Sequence, residues 1–463
     1  MRPITTEAVH RLASAALLAA VLAGCEDRTL AVKTPDVIPI SSTNSASALP
    51  TLSASVIANF TFAYAGDGGN VNEGVIQDGG LLADEWISSD TYPTRNQIDA
   101  RLTTSTNANS NTVFQSIQVF RKNAEDAITA YQKYQPGVAQ EAEAYTWAGY
   151  AYVLMAENFC TGVPFSTVNN ATGAVTFGPL ESTAQMWHDA RVRFDSALAI
   201  LAADTVSGDA SSIPTETYFA SVGKGRTLVD SNDYADAAAA VAAVPPTFNY
   251  FIATSTNTTR QWNGVWTYSN NEHRYSVPDN EGINGLTYRS DGIQLANPCV
   301  SMGNTGDPRI TWFDYGPGFN TASENYAQCI YPTISSNIPV ATGVEAQLIT
   351  AEYELSQSNT AGAATILNAV RVQLGNTVTF TFPVNADSQK TALMKERAYD
   401  MWMTAHRLGD LRRLIRQYGF AANAVFPTGA YQFGGTYGNG VSMPVPAAEA
   451  NNPNYQACDT TVP

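Results

Sequence analysis

The stretch TVFQSIQVFRKNAEDAITAYQKYQPGVAQEAEAYTWAGYAYVLMAEN, residues 112–158, decides the fold class. In each half, apolar residues recur every three or four positions, which places them on one face of an α-helix. Pro136-Gly137 lies between the halves and ends the first helix. Small residues at 148–151 allow a neighbouring helix to approach closely. The stretch therefore predicts a helical hairpin, Thr112–Tyr134 followed by Val138–Asn158.

The same helical periodicity continues on both sides of this hairpin. Further helices are predicted from Thr51 to Tyr64 and over Ser182–Ala203, Pro214–Leu228, Tyr234–Ala243, Val344–Leu374 and Ser388–Tyr418. The segment Gly66–Gly80 is rich in Gly, Asn and Asp and is predicted to be a loop. Helix–turn–helix units at intervals of roughly 35 residues resemble tetratricopeptide pairs, although their period is irregular. The sequence therefore predicts a mainly α protein.

Residues 245–340 have a different character. Tryptophans and tyrosines are scattered there among Asn, Gly, Ser and Asp with no sustained helical period. A long, loop-rich insertion with a few short strands is predicted, and such insertions in compact domains are usually functional. The tail from Gly419 to Pro463 is predicted to be mostly irregular.

The N-terminus reads as an export signal. Arg2 and Arg11 precede an apolar run that is too short to span a bilayer, and Leu22-Ala23-Gly24-Cys25 follows. This ending resembles the bacterial lipobox, which implies a signal peptide over 1–24, acylation of Cys25 and an extracytoplasmic protein. The alternative is an ordinary signal peptide with an unmodified cysteine. We expect a flexible tether over 25–48 and one domain over 49–463, made of parts 49–244, 245–340 and 341–463.

Charge and composition exclude several functions. Charged residues make up 14% of the chain, and the net charge of −16 becomes −17 when residues 1–24, with two Arg and one Glu, are removed. There is no run of Lys and Arg, so nucleic acid and anionic lipid headgroups are not expected partners. The predicted membrane link is the lipid on Cys25. After Cys25 no apolar stretch reaches 18 residues, so no transmembrane helix is predicted.

The cysteines indicate an oxidising compartment. With Cys25 assigned to lipid, Cys160, Cys299, Cys329 and Cys458 remain, and four cysteines allow three pairings. We favour Cys299–Cys329, which closes a polar loop, and Cys160–Cys458 as the remaining pair. No Cys-x-x-Cys or His-rich spacing occurs, so neither a metal site nor a cofactor is predicted.

Four segments, in order, carry a family resemblance. The clearest is KERAYDMWMTAHRLGDLRR, residues 395–413, which resembles the C-terminal signature of the RagB/SusD family of outer-membrane nutrient-binding lipoproteins. Asp400 stands there for a glutamate, and Thr404 and Ala405 replace an acidic residue and a glycine. The other matches are Glu157–Phe165, Asp307-Pro308-Arg309, and Met443–Pro446 with Glu449 and Asn452-Pro453.

The resemblance implies a SusD-like fold with tetratricopeptide-like helical pairs. It also implies a lipid-anchored protein on the outer membrane, facing the exterior, that makes or breaks no bond. Proteins of this family capture oligosaccharides or, in some members, peptides, and deliver them to a TonB-dependent (SusC-like) transporter. The family does not fix its ligand residues in one motif.

The charged residues of the C-terminal signature are predicted to lock helix packing. This structural network comprises Glu396, Arg397, Arg407, Asp410 and Arg413, which recur at helical spacing. A catalytic pair of His406 with Asp410 is the alternative, but no Ser or Cys nucleophile lies nearby.

Ligand residues are predicted in the aromatic loops, because sugar rings offer apolar faces to flat aromatic side chains and hydroxyls to amides and carboxylates. The candidates, all in loop-rich sequence, are Trp266, Trp262, Trp312, Trp86, Tyr275 and Asn271. For each tryptophan the alternative is that it anchors its loop on the helical core.

Two other functions stay open at this point. A glycosidase could use a carboxylate pair drawn from Asp84, Glu85, Asp279 and Glu281, although none lies in a recognisable catalytic motif. A tetratricopeptide-like interaction scaffold would show a groove lined by helix side chains, whereas a nutrient binder would place its site in the aromatic loops.

Overall fold

Helices carry the fold in the computed structural model, which describes Ser45–Gly69, Asn72–Asn169, Thr172–Val206 and Gly208–Pro463. Ser45–Pro463 is one compact unit. The predicted signal peptide, the lipidation of Cys25 and nearly all of the predicted tether lie outside the described residues. The α-helices of the described part are α1 Leu49–Ala65, α2 Val75–Leu82, α3 Pro93–Asp99, α4 Ala108–Tyr134, α5 Ala139–Asn158, α6 Thr183–Ala203, α7 Ile213–Asp230, α8 Tyr234–Val241, α9 Gly264–Trp266, α10 Tyr288–Asp291, α11 Gly343–Ser356, α12 Thr360–Gln373, α13 Ala386–Asp400, α14 Arg407–Arg416 and α15 Ala422–Val425.

The strands are short and form five small antiparallel or mixed sheets among the described residues. They are β1 Ile87–Ser88, β2 Val163–Pro164, β3 Thr167–Val168, β4 Val175–Thr176, β5 Leu180–Glu181, β6 Asn249–Ile252, β7 Tyr275–Ser276, β8 Gly292–Leu295, β9 Asp307–Pro317, β10 Glu324–Gln328 and β11 Ile338–Thr342. The pairs β1–β7, β2–β5, β3–β4 and β6–β11 are antiparallel. In the three-stranded sheet, β9 pairs parallel with β8 and antiparallel with β10.

The predicted hairpin is confirmed as α4 and α5, and successive helices extend it. Asn107 caps α4 because its side chain accepts hydrogen bonds from two backbone N–H groups of the first turn. Gly137 takes the left-handed conformation between the two helices (φ +81°). Helix α4 packs between α1 and α5, α5 packs on α6, α6 on α7, α7 on α8 and α11 on α12.

Small residues let these helices approach closely. A Cβ atom on Gly149 or on Gly223 would lie 2.7 or 2.5 Å from the ring of Phe194, so α5 and α7 both need glycine where α6 inserts this ring. An aromatic cluster lies beside it: Phe219 stacks on Tyr250 with ring centroids 3.8 Å apart, and Trp147 meets Phe219 at 4.7 Å. The core therefore forms between the helical pairs.

Three sequence predictions were wrong in detail. The predicted loop Gly66–Gly80 contains most of α2. The side chain of Gln77 accepts a hydrogen bond from the backbone N–H of Gly74 and donates one to the carbonyl of Ala65, which stabilises the start of this helix. Val344–Leu374 is two helices separated at Ser358 (φ +61°). Ser388–Tyr418 is also two helices, because residues 401–406 leave the helical conformation, with Met403 and Ala405 at positive φ.

Two disulfides cross-link the described part of the chain. They join Cys299 to Cys329 and Cys160 to Cys458, which are the two pairs favoured from the sequence. The second holds the irregular C-terminal tail at the end of α5.

One helical stretch of the described residues, Ala46–Ala65, is long and apolar enough to cross a membrane by length and composition alone. In the structure it contains α1, whose Val56, Phe60 and Tyr64 are buried against the other helices. These contacts are those of a core helix, so the finding is weak evidence for a membrane span.

Candidate functional site

Two of the predicted ligand residues belong to the core. Trp86 is 0% exposed, and its indole N–H donates to the carbonyl of Ile76 at 3.2 Å. Tyr275 is also 0% exposed and meets Trp86 edge-on. Neither side chain has a face open to a ligand, so both assignments are corrected: these aromatics anchor their loops.

Trp312 is likewise buried. Its indole N–H donates to the carbonyl of Arg289 at 3.1 Å, and its ring packs edge-on against Tyr326. The ring therefore fastens the three-stranded sheet to α10, and its ligand assignment is corrected in the same way.

Trp262 and Trp266 are half-buried and keep part of their surface in solvent. Trp262 lies against the turn after α1, where a Cβ atom on Gly68 would come within 2.5 Å of the indole. The indole nitrogen of Trp262 is buried and has no hydrogen-bond partner among the described residues. Both tryptophans stay predictions as ligand residues.

Three loops converge on an exposed aromatic surface built around Arg274. We define the Arg274 surface as Tyr92, His273, Arg274, Tyr315 and Phe319. Tyr92 is 51% exposed and Phe319 is 41% exposed, whereas Arg274 beneath them is buried. The guanidinium carbon of Arg274 lies 3.5 Å from the ring centroid of Phe319 and 5.1 Å from that of Tyr92. Each of these two partly exposed rings therefore has one face against the same cation.

Backbone hydrogen bonds fix the relative position of these loops. The N–H of Phe319 donates to the carbonyl of His273 at 2.9 Å, and that of Asn320 donates to the carbonyl of Ser89 at 3.0 Å. The Ser89 N–H donates in turn to the carbonyl of Arg274 at 3.0 Å. The loops at 89–92, 271–274 and 315–320 thus form one preorganised surface beside the β1–β7 pair.

Buried carboxylates hold the cation in place. Arg274 donates to both oxygens of Asp90, at 3.0 and 3.2 Å. Asp90 also accepts from Arg95 and from the backbone N–H of Tyr92, which is the N-cap residue of α3. Asp90 therefore holds the Arg274 side chain and the backbone at Tyr92 together.

His273 adds a second ring pair to the surface. Its imidazole centroid lies 3.5 Å from that of Tyr315, and its backbone has a φ of +55°. Burial lowers the pKa of His273, which keeps the ring neutral near pH 7. A strained non-glycine residue in an exposed loop is a frequent property of binding sites.

Asn271, the last of the predicted ligand residues, lies beside this surface. It is exposed, and its amide donates to the carboxylate of Glu272 at 3.2 Å. Glu272 approaches Arg274 at 3.6 Å. An amide and a carboxylate therefore border the aromatic rings and can hydrogen-bond hydroxyl groups.

The five residues of the predicted structural network all take part in buried ion pairs. Arg397 and Arg413 both contact Asp410, at 2.9 and 3.0 Å, and Arg413 also pairs with Glu352. Arg407 reaches across to Asp84.

Glu396 takes part in a neighbouring group, where it contacts Arg309 at 2.7 Å and Arg371 at 2.8 Å. His406 places its Nε2 atom 3.2 Å from Glu345 rather than beside Asp410, so the structure does not bring the alternative catalytic pair together.

The acidic residues weighed for glycoside hydrolysis are engaged in internal contacts. Asp84 binds Arg407, and Glu85 accepts from the backbone of Met403. Glu281 accepts from Tyr437, while Asp279 accepts from Ser290. Burial raises the pKa of Glu85 to about 8. Asp84, Glu85 and Glu281 thereby hold their loops to C-terminal segments of the chain.

The structure buries three of the six predicted ligand residues, Trp86, Trp312 and Tyr275, and leaves the other three at least partly exposed. The apolar area that makes a tryptophan a good stacking surface also drives Trp86 and Trp312 into the core. The smaller rings Tyr92, Tyr315 and Phe319 remain at the surface. No sequence motif marks Phe319, because it is the β9–β10 turn that brings it to Arg274.

Comparison with known proteins identifies the fold. No protein-family model matches the sequence. No curated protein matches it either. Among solved structures, the chain is similar to a SusD-like carbohydrate binding protein from Bacteroides fragilis, with 18% identity, a TM-score of 0.62 and coverage of 89% of this chain and 99% of that one. It is also similar to a SusD/RagB family protein from Bacteroides thetaiotaomicron, with 14% identity, a TM-score of 0.58 and coverage of 88% and 94%.

A third similar structure is surface glycan-binding protein A from Bacteroides uniformis, with 14% identity, a TM-score of 0.58 and coverage of 89% and 99%. At these identities the likeness concerns the fold. The chain has the SusD-like fold over most of its length, with the helical frame and loop-rich region that its sequence motifs predict.

Proposed function

We propose that this protein belongs to the RagB/SusD family and captures an oligosaccharide on the Arg274 surface. The observation that carries the proposal is the pair of open rings, Tyr92 and Phe319, on a preorganised loop surface of a SusD-like fold. Apolar faces of sugar rings stack on such aromatics, and the bordering Asn271 and Glu272 hydrogen-bond hydroxyls. Trp262 and Trp266 are proposed as additional contacts at the half-buried edge of the loop region.

The proposed work is binding and delivery, with no bond made or broken. Cys25 carries the acyl chains that hold the protein on the outer membrane, facing the exterior, and a TonB-dependent transporter receives the ligand. Because Asp90 neutralises Arg274 and the chain carries a charge of −16, a neutral glycan suits the surface better than a strongly anionic one.

The ligand class is tested by calorimetry on the soluble form that starts after Cys25. We expect neutral oligosaccharides to bind and to be recovered unchanged. Binding of peptides in their place would assign the protein to the peptide-capturing type. Release of shorter sugars would overturn the proposal, because a capture protein leaves its ligand intact.

Membrane attachment and delivery need a separate test in the native cell envelope. We expect the wild-type protein to fractionate with the outer membrane and to co-purify with a TonB-dependent transporter in mild detergent. Cys25→Ala should remove the protein from the outer-membrane fraction, since it removes the site of the acyl chains. A Cys25→Ala protein that still fractionates with the outer membrane, or a wild-type protein purified without any transporter, would contradict this part of the proposal.

A further inference from the structure

A second site is suggested by a cavity of about 430 Å³ that shares no residue with the Arg274 surface. It lies between the β6–β11 pair, the start of α11, the end of α12 and the segment that interrupts α13 and α14. Its rim includes the exposed amides Asn249 and Asn337, and its floor includes the buried Trp402 and His406. A volume of this size accommodates a small organic molecule.

Four aromatic residues contribute to the lining of this cavity. Phe248, Tyr331, Tyr399 and Trp402 all contribute to its wall. The Tyr331 hydroxyl donates to the carbonyl of Met403 at 3.0 Å, so its polar end is satisfied. The buried indole nitrogen of Trp402, in contrast, has no hydrogen-bond partner among the described residues.

Two buried carboxylates in the wall have unused oxygens. One oxygen of Asp400 accepts from Arg309 at 2.6 Å, while its Oδ2 atom has no partner among the described residues. Glu345 places one oxygen 3.2 Å from His406, and its Oε2 atom also lacks a described partner. A buried carboxylate oxygen without a partner is unfavourable, so both atoms favour a ligand that supplies hydrogen-bond donors.

The balance of charge around the cavity is negative. Arg309 binds Asp307, Glu396 and Asp400, and these contacts occupy its Nε, Nη1 and Nη2 atoms. Arg371 shares Glu396. The lining itself therefore contains two carboxylates, Asp400 and Glu345, and one guanidinium group, that of Arg309. Arg226 and Arg397 also lie near Glu345, but they are paired with Glu157 and Asp410.

The imidazole of His406, next to Glu345, does not neutralise the negative charge of the carboxylates. Burial and the nearby Arg226 lower the pKa of His406, so its ring is neutral near pH 7. A ligand with positive charge would compensate the remaining carboxylates.

The lining favours an organic cation over a metal ion. The described residues contain no group of three or more His, Cys, Asp or Glu placed to hold a metal. Rings with their negative faces toward a cavity attract ammonium groups and at the same time pack against their alkyl parts.

We propose that this cavity binds a small organic ammonium ion. Its positive group lies beside Asp400 and Glu345, and its apolar part contacts Trp402 and Tyr331. Met403 and Ala405, both at positive φ, alternate in the sequence with the lining residues Trp402, Thr404 and His406. Strained backbone of this kind occurs at many ligand sites.

The charge requirement is tested with pairs of probes that differ in charge and little in shape. Choline is compared with 3,3-dimethylbutanol, its neutral isostere, and glucosamine with N-acetylglucosamine, by calorimetry and by tryptophan fluorescence. We expect at least one cation to bind tenfold or more tightly than its neutral partner. If neither cation binds better than its neutral partner, the proposal is wrong.

Variants place the binding in this cavity. Asp400→Asn removes a charge from the wall and should weaken binding of the preferred cation at least tenfold. Asn337→Arg adds a repelling charge at the exposed rim and should weaken it at least threefold, whereas Asn337→Gln should leave it unchanged. If Asp400→Asn does not fold, the comparison of Asn337→Arg with Asn337→Gln tests whether the cation binds in this cavity. Equal affinity in Asn337→Arg and Asn337→Gln would overturn the placement.

The pH dependence gives an independent readout. Burial, opposed by Arg309 and reinforced by Glu396 and Asp307, raises the pKa of Asp400 to about 7. The other ionisable groups of the wall are Arg309, Glu345, His406, Tyr331 and Tyr399. A bound cation favours the ionised carboxylate, so affinity should rise from pH 6 to pH 8, and this rise should be lost in Asp400→Asn. An equal rise in both proteins would contradict the assigned role of Asp400, and glycan binding at the Arg274 surface should be unaffected by this substitution.

Discussion

At the residue scale, the Arg274 surface depends on a buried ion pair that holds exposed rings. Asp90 fixes Arg274, and the guanidinium then supports Phe319 on one side and Tyr92 on the other. The rings are therefore ordered before a ligand arrives, which reduces the entropy lost on binding.

Removal of one ring should weaken glycan binding without unfolding the protein. Phe319→Ala is expected to lower the affinity for the captured oligosaccharide about tenfold, or about 1.4 kcal/mol, because the stacking face is lost. Calorimetry of wild type and variant measures this. Phe177→Ala is the matched control, since Phe177 is 45% exposed and lies on the β3–β4 hairpin. Equal losses in the two variants would contradict the assignment of the site.

The backbone of the interrupting segment offers a second test at this scale. Ala405 has a φ of +61°, which strains any residue except glycine. Ala405→Gly should raise the free energy of unfolding by roughly 0.5–1 kcal/mol. Glycine relieves the backbone strain at this position, and this gain should exceed the cost of the extra conformational entropy that glycine gives the unfolded chain.

Urea unfolding of the variant and of Ala364→Gly gives the comparison. Ala364 lies inside α12, where glycine should lower the free energy of unfolding by about 1 kcal/mol. The two substitutions should therefore have opposite signs. A destabilisation by both would show that the positive φ at position 405 stores no strain.

At the scale of elements, the irregular C-terminal tail is held by buried carboxyl groups. Tyr431 donates to Asp99 at 2.8 Å, and Tyr437 donates to Glu281 at 3.1 Å. Burial and the neighbouring Asp99 raise the pKa of Glu281, and burial raises the pKa of Asp99 to about 6. The folded protein therefore holds protons at this site that the unfolded chain releases near pH 4.

This arrangement makes stability decrease as pH rises. A carboxyl whose pKa is raised by folding contributes stability that is complete below the unfolded pKa and is lost as pH rises through the folded pKa. Glu281→Gln keeps the acceptor for Tyr437 and removes one ionisable group. We expect it to raise the free energy of unfolding at pH 8 by on the order of 1 kcal/mol, with a smaller gain at pH 5.

Urea unfolding at both pH values measures this difference. Glu324→Gln, at an exposed position of β10, is the control and should change neither value. A gain in Glu281→Gln that is equal at pH 5 and pH 8 would mean that the carboxyl pair is not the cause.

The elements also show what a sequence can and cannot predict. The hairpin α4–α5 was predictable because its period, its Pro-Gly turn and its small residues agree. The interruption at 401–406 was not, since its alanine and methionine residues favour helix and only tertiary contacts impose positive φ. The start of α2 lies in a Gly- and Asn-rich segment and was missed because Gln77 stabilises it through nonlocal hydrogen bonds.

At the scale of the whole molecule, two disulfides close loops of very different length. Cys160–Cys458 joins residues 298 positions apart, and Cys299–Cys329 joins residues 30 apart. A disulfide restricts the unfolded chain more when it closes a longer loop. In the chain-entropy account, Cys160–Cys458 therefore stabilises the folded protein by about 2 kcal/mol more than Cys299–Cys329 does.

The double variant Cys160→Ser/Cys458→Ser should therefore be less stable than Cys299→Ser/Cys329→Ser by roughly that amount. Urea unfolding of both, with each remaining disulfide oxidised, gives the comparison. A larger loss from the short loop would mean that local packing, rather than loop closure, determines what each bond contributes.

The helical frame and the loops have different roles in the molecule. Paired helices bury the aromatic core, while the loops of residues 245–340 pair with segments from both ends of the chain and place the Arg274 surface beside β1 and β7. The helical frame was readable from local periodicity. The surface was not, because it joins residues that lie more than 200 positions apart in the sequence.

The most direct test of the central claim is a crystal structure of the soluble protein with the oligosaccharide that binds most tightly in calorimetry. We predict a sugar ring stacked on Tyr92 or Phe319, with hydroxyl groups hydrogen-bonded near Asn271 and Glu272. An oligosaccharide bound elsewhere, in a groove between the helical pairs or in the cavity at Trp402, with the Arg274 surface unoccupied, would contradict the account.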